Sequence, residues 1–475
     1  MTFVHFFMLG FGSMVGVGWA VSSNRWLAQS GGVIPAFIGF IIGTLLLLPI
    51  GLSHSSLMKR MPVSGGVMVY GYRAFGTGIS FIGAWFVALA YLTILPWEAI
   101  YINNILINLF PALKMGQPIY HVLGSPVYLS GAILGLVFAL GLLLINLKGS
   151  KLAGKLQSFL SYLIIVSGII VIITSFIKFD VNNLTPIYEN IGVGTHKNIF
   201  FGIVTMIVLV PFFMAGFDTI PQSIEERSPK TSQKAVSKAL LTSIAAAGIF
   251  YAFIILSTGG ASSWQAYSQQ PSPAMATMLQ GLYPGLIGQV LYWIIMIGTL
   301  AGLFSTWNGM FMAAVRLLDT MGTSGLLPGF FAKKGKQGKI PLGATIFCFV
   351  AAAIGPLIGF NIIDSLTSLG SVAFVLGWFI TCISALRIER KSKDPLTKST
   401  VVSVVISSII LILTFIPGQP AYMGNLSLVL FAIWMVIGVI FYYFTNYGDR
   451  GISEEERRLK LFGTVEQPSL EIREE

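Results

Sequence analysis

Gly10-Phe-Gly-Ser-Met-Val-Gly-Val-Gly18 interrupts the first apolar run of this 475-residue chain, and Pro211-Phe-Phe-Met-Ala-Gly-Phe-Asp-Thr-Ile-Pro221 interrupts the sixth. Glycine and proline lower the cost of unwinding a helix. Unwound backbone at bilayer depth survives only where protein or water satisfies its polar groups. Glycine also lets membrane helices pack closely, so the first stretch alone has two readings. Two interrupted runs, five apart in order, are more specific.

The rest of the chain requires lipid. It is 55% hydrophobic and 10% charged, with mean hydropathy +0.81. Soluble domains carry roughly 25% charged residues, so these charges cannot cover a globule in water. Twelve runs reach the ~20 residues needed to cross a bilayer. Their limits are about 2–22, 33–53, 79–110, 127–147, 156–177, 200–222, 239–259, 286–316, 342–359, 363–386, 400–416 and 424–446. We call them spans 1 to 12. The first carries no basic stretch before it and is broken by glycines, so it reads as a span and not as a cleaved leader.

Assigning loops alternately, with the N-terminus inside, collects the basic residues on one side. Lys59, Arg60, Arg73, Lys148, Lys151, Lys155, Arg227, Lys230, Lys234 and Lys238 fall there, followed by Arg316, Lys333, Lys334, Lys336 and Lys339. Arg387, Arg390, Lys391, Lys393, Lys398, Arg450, Arg457, Arg458, Lys460 and Arg473 complete the set, and only Arg25, Lys114, Lys178 and Lys197 lie outside it. This positive-inside pattern predicts cytoplasmic ends. It also accounts for the net charge of +11 without nucleic acid. The run Glu454-Glu-Glu-Arg-Arg458 in the tail, 447–475, reads as a solvated helix or a disordered end.

Because five is odd, spans 1–5 and 6–10 would run in opposite senses, as in an inverted repeat with a discontinuous first helix in each half. Each break bares N–H groups at one half-helix end and C=O groups at the other. The first favour a carboxylate and the second an ammonium or a metal cation. A zwitterionic amino acid offers both charges.

These residues, with others, resemble the amino acid–polyamine–organocation (APC) superfamily of permeases. Gly12-Ser-Met-Val-Gly-Val-Gly-Trp19 is similar to the family's broken first helix. Met61-Pro-Val-Ser-Gly-Gly-Val-Met-Val-Tyr-Gly-Tyr-Arg-Ala-Phe-Gly76 resembles the loop and amphipathic segment before span 3. Gly216-Phe-Asp-Thr with Glu225, Glu226 and Pro229 resembles the sixth helix and its exit. Arg316, Asp319-Thr-Met and Gly325-Leu-Leu-Pro328 resemble the end of span 8. The likeness extends over most of spans 1–10.

The resemblance implies an all-α integral membrane protein of 12 transmembrane helices. It implies a five-plus-five inverted repeat (LeuT-like) with broken helices 1 and 6 and two extra C-terminal helices. The bundle would fill residues 1–446, with repeats at about 1–177 and 200–386, extra helices at about 400–446, and a cytoplasmic tail. It implies a secondary transporter of amino acids in the plasma (inner) membrane, working by alternating access. Carried over by position, the substrate carboxylate meets the backbone of Gly16, Val17 and Gly18, and the ammonium meets carbonyls near Ser13, Met14 and Ala215, beside Gly216. Phe212 stands where the family often has an aromatic gate. Trp19 and Asn308 are further side-chain contacts. Some proton-coupled members have a lysine in the middle of span 5; this chain has Ile164 there. In span 8, Ala313-Ala-Val-Arg316 lacks the hydroxyls a sodium site would use. Symport, exchange and uniport all remain open.

Two acids lie well inside the spans, where a carboxylate needs a partner or a proton. Asp218 reads either as the N-cap of the second half of span 6 or as a proton carrier or amine contact. Glu98 lies eighteen residues beyond Ser80, roughly 27 Å along span 3, toward the outer side. It reads either as an interfacial glutamate reached by water or as a coupling or amine-binding group lining an outer vestibule. A polyamine or other amine carrier is therefore an alternative, as is an inorganic cation carrier on the same fold. The expected partners are a small-molecule substrate, the bilayer and protons, with no cofactor. Cys348 and Cys382 are isolated, and His5, His54, His121 and His196 are scattered, so no metal site is expected. No HExxH, GxSxG or paired-carboxylate pattern supports a membrane enzyme, and no selectivity sequence supports a channel.

Overall fold

The apolar runs fold as helices whose outward faces remain apolar. A computed structural model describes residues 1–110, 113, 116–192, 198–271, 273–335, 340–392, 397–419, 422–446 and 452–463. Lys114, Lys197, Lys336, Lys339, Lys393, Arg450 and Arg473, and the tail at 447–451 and 464–475, lie outside them. Among the described residues, ten helices are long and apolar enough to cross a membrane. Spans 6 and 9 appear as shorter apolar helices, Ile199–Phe213 and Leu342–Leu357. Each ends where the sequence breaks it: span 6 near Gly216, and span 9 in a 3₁₀ turn at Gly355–Leu357 that contains Pro356.

Lipid-facing stripes follow helical spacing. On span 4, helix Leu129–Leu147, Ile133, Val137, Leu140 and Leu144 are exposed. On span 12, helix Asn425–Asn446, Val429, Ile433, Val436 and Ile440 are. Exposed apolar stripes of this extent would aggregate in water. Spans 1, 3, 8 and 10 instead bury most of their side chains against one another. Span 1 packs on spans 5, 7 and 8, and span 6 packs on spans 2 and 10. Span 3 packs on spans 8 and 10, span 8 on span 5, span 7 on spans 2 and 5, and span 10 on span 2. Span 12 is tied to span 3 by a reciprocal indole pair. The Trp85 and Trp434 rings stack at 4.2 Å, and each N–H donates to the other's backbone oxygen at 3.0 and 3.1 Å.

Several short elements escape the hydropathy reading because they are amphipathic or too brief. They are the helices Ser23–Ser30, Trp264–Ser268 and Ala274–Leu282, and the hairpin Tyr120–Val122 with Ser125–Val127. The amphipathic helix before span 3 is Val67–Phe75.

The tail differs from the solvated or disordered end expected. Glu454–Phe462 is a helix capped by the Ser453 hydroxyl, and Arg457 and Leu461, four apart on one face, are buried. Arg457 donates from Nε to the Ser324 carbonyl and from a terminal nitrogen to Thr77 Oγ1, both at 2.9 Å. It thereby joins the end of span 8 to the start of span 3. Arg457→Ala removes two charge-assisted bonds of about 1.5–3 kcal/mol each. Tryptic cleavage at Arg458 and Lys460 is expected to speed up at least about tenfold, read by mass spectrometry.

Candidate functional site

The two breaks meet at the centre of the bundle. The first helix, Phe3–Val15, stops at Gly16 with φ +51° and resumes as Gly18–Val21. The second, Ile199–Phe213, stops before Gly216, at φ +132°, and resumes as Thr219–Gln222. A Cβ on Gly216 would lie 2.7 Å from the Ser13 carbonyl carbon and 2.9 Å from the Met14 nitrogen. Only glycine lets the breaks approach this closely.

Their polar groups are divided between the two half-helix ends. The N–H groups of Gly16, Val17 and Gly18 donate to no backbone carbonyl. The carbonyls ending the first half-helix receive hydroxyls from elsewhere. Tyr251 of span 7 reaches Met14 O at 3.1 Å and Val15 O at 2.5 Å. Thr306 of span 8 reaches Gly12 O at 3.3 Å and Ser13 O at 3.4 Å. Ser13 Oγ is buried with no partner.

A cavity of about 20 Å³, lined by buried residues, lies against these atoms. Its wall contains Ser13, Met14, Gly16, Val17 and Gly18 of span 1, with Ile94, Trp97 and Glu98 of span 3. Phe212, Phe213 and Ala215 of span 6, Tyr251, Thr306 and Met310 complete it. That volume admits about one water, so a substrate enters only if the walls part. Trp97 and Phe213 also line a second cavity of about 90 Å³, and so form the partition between the two. Over the second cavity Arg25 donates to both carboxylate oxygens of Asp364, at 3.0 and 3.1 Å. These side chains are 39% and 73% exposed, and such pairs contribute about 0–1 kcal/mol. The ion pair itself therefore adds little to the closure on this side, where the Trp97 and Tyr101 rings also pack at 4.1 Å.

The opposite side is tied more firmly. Arg316 bonds the Glu226 carboxylate and the Ser223 hydroxyl. Gln222 Oε1 accepts from Gly65 N–H at 3.2 Å, and Glu225 Oε1 from Ser64 N–H at 2.8 Å. The loop before span 3 thus fastens to the exit of span 6.

Of the residues singled out in the sequence, Ser13, Met14, Gly16, Val17, Gly18, Glu98, Phe212 and Ala215 come together on the cavity wall. Gly216 stands behind it, against Ser13. Trp19 is fully buried away from it, edge-on to Phe250 at 5.9 Å. Asn308 is engaged outside it, donating to Ala153 O at 3.2 Å and Gln157 Oε1 at 3.0 Å. Asp218 stands at the N-cap position of Thr219–Gln222, and Glu98 lies inside the bundle. Asp218 makes no cap bond; its Oδ2 accepts from Tyr91 OH at 2.8 Å, and Oδ1 has no partner. Glu98 is 2% exposed and lines the central cavity, not the second one beside Arg25 and Asp364. The helix carrying it, Thr77–Leu109, has 33 residues, about 50 Å against a core of ~30 Å. Distance counted from its start therefore overstates depth toward the outer side. Tyr251, Phe213 and Met310 carry no sequence signal, being single residues in apolar helices.

A family model described as "Amino acid permease" matches residues 1–445. The chain is similar to the branched-chain amino acid permease BcaP of Lactococcus lactis subsp. cremoris (strain MG1363). They are 26% identical over 452 residues, covering 94% of this chain and 93% of that protein. It is 25% identical to the methylthioribose transporter of Bacillus subtilis (strain 168) over 443 residues, 92% of this chain and 91% of that one. The glutamate/serine transporter AimA of the same organism is 38% identical, over 93 residues covering 20% of this chain and 17% of its own.

Proposed function

The chain belongs to the amino acid permease family, a family of multi-pass membrane transporters and not of enzymes, and from that premise we propose that it is a secondary carrier moving amino acids by alternating access around the paired helix breaks. The observation that carries this reading is the buried central cavity, with the N–H groups of Gly16, Val17 and Gly18 on its wall donating to no backbone carbonyl, and ion pairs on either side of it. An amino acid carboxylate suits those N–H groups. Its ammonium suits the carbonyls near Ser13, Met14 and Ala215, and Ile94, Trp97, Phe212, Phe213 and Met310 suit an apolar side chain.

Twelve spans in a five-plus-five inverted repeat fit the packing. Exchanging each of spans 1–5 with the span five later turns the 1–7 contact into 6–2, and 5–8 into 10–3. The same exchange turns 1–5 into 6–10 and 7–5 into 2–10. All of these contacts occur. The basic residues support cytoplasmic ends in a plasma membrane.

Glu98 favours a second reading, a carrier of amines or cationic amino acids. One relative carries methylthioribose by its name, so family membership alone does not fix the cargo. A thermal-shift screen of purified protein against amino acids, polyamines and monovalent cations separates the readings. A ligand at 100 times its dissociation constant adds about 2.7 kcal/mol. Stabilisation by apolar L-amino acids is expected. Stabilisation by amines lacking a carboxylate favours the second reading, and a response to one inorganic cation alone overturns both.

A further inference from the structure

We propose that Glu98 is the proton site of this carrier: it takes a proton from outside, closes into the cavity with the substrate, and releases the proton inside. The inference rests on the amino acid reading of the cavity. Glu98 lines the same buried space as the N–H groups of Gly16, Val17 and Gly18, and its Oε2 is buried without a partner. None of the ion pairs among the described residues includes it.

The charged and titratable groups around it are engaged elsewhere. The Tyr251 hydroxyl is committed to the Met14 and Val15 carbonyls. Across the partition, beside Tyr101, Arg25 and Asp364 neutralise each other. Asp218 binds Tyr91 beyond the break of span 6. Span 8 brings Thr306 and Met310 to the wall, while its Arg316 is held by Glu226.

A substrate carboxylate on the Gly16–Gly18 N–H groups would be a second anion in a buried space with little room for water. Repulsion between the two is strong at low dielectric. A proton on Glu98 removes it and converts an acceptor into a donor that can bond the substrate. Proton and substrate therefore enter together. When the inner side opens and water returns, the carboxylate is solvated and the proton leaves. A cationic side chain on the substrate would neutralise Glu98 in the proton's place, and that version makes opposite predictions.

The test uses the full-length protein in liposomes with the membrane potential clamped, a pH dye inside and each of the twenty amino acids supplied outside in turn. At least one amino acid is expected to be taken up with acidification of the lumen. Each pH unit, acid outside, supports accumulation up to about tenfold. Glu98→Gln is expected to abolish acidification and flatten the pH profile of uptake. Glu98→Asp, which keeps an acid, is expected to retain both. Uptake without acidification, or pH-dependent uptake in Glu98→Gln equal to wild type, overturns the proton site and leaves the amino acid reading standing. Uptake confined to lysine and arginine, with no pH dependence, overturns it in favour of a cation contact. Uptake of no amino acid overturns the reading on which it rests.

Discussion

Gly216→Val is expected to abolish uptake, and Gly216→Ala to lower substrate affinity about 10- to 100-fold. At φ +132° any side chain is strained, at about 1–3 kcal/mol. Its Cβ also meets backbone, 2.7 Å from the Ser13 carbonyl carbon, and backbone cannot swing aside as a long side chain can. The breaks must therefore separate, displacing the Ser13 and Met14 carbonyls from the cavity wall. Gly16→Val acts in the same sense by driving into Thr306. Affinity is read from ligand-induced thermal shifts, and integrity from a monodisperse chromatographic peak. Wild-type affinity in folded Gly216→Ala would remove the breaks from the binding site.

Arg316→Met is expected to lower accumulation at least tenfold by loosening the seal on the proposed cytoplasmic side. It leaves the Glu226 carboxylate and the Ser223 hydroxyl without their shared donor. Breaking a fully buried pair costs about 3–5 kcal/mol. These side chains are 17% and 30% exposed, so a cost of roughly 2 kcal/mol is expected. The Arg25–Asp364 pair on the other side, more exposed, is left unchanged, and the balance shifts toward opening at Arg316. A Ser13→Cys reporter should then react faster with a thiol reagent applied from the inner side. Native Cys348 and Cys382 are buried and add little background. An unchanged labelling rate would show that the seal lies elsewhere.

Hydropathy made the helices legible because lipid demands long apolar runs, and local composition made the breaks legible because glycine and proline act where they stand. The backbone positions Ser13, Met14, Gly16, Val17, Gly18 and Ala215 came from the family resemblance at those breaks, and they line the cavity. Side chains arriving from other spans did not. Tyr251 is one tyrosine in an apolar helix, and only packing turns its hydroxyl toward Met14 and Val15. Asn308, polar and close to Thr306 in sequence, turns the other way, toward span 5. One helical step separates the wall from the rear of the same helix, and neighbouring helices set that rotation. Glu98 was visible as an acid, but its depth depended on where span 3 begins. The docking of Arg457 was illegible because a charged tail reads as solvent-exposed unless its partners are known.

The bond from Tyr251 to Val15 spans 236 residues. A ribosome adding 5–20 residues per second needs roughly 10–50 s to make that distance. Through that interval the first half-helix has emerged with its terminal carbonyls lacking the hydroxyl that will satisfy them. At Gly10 and Gly12 its surface is also bare until later helices cover it, with Ser243 and Ile220 at the first and Ser161 and Ser305 at the second. The nascent segment must then wait beside the insertion machinery or at the bilayer surface, and binding competence arrives late in biosynthesis, when the seventh and eighth helices close over the first.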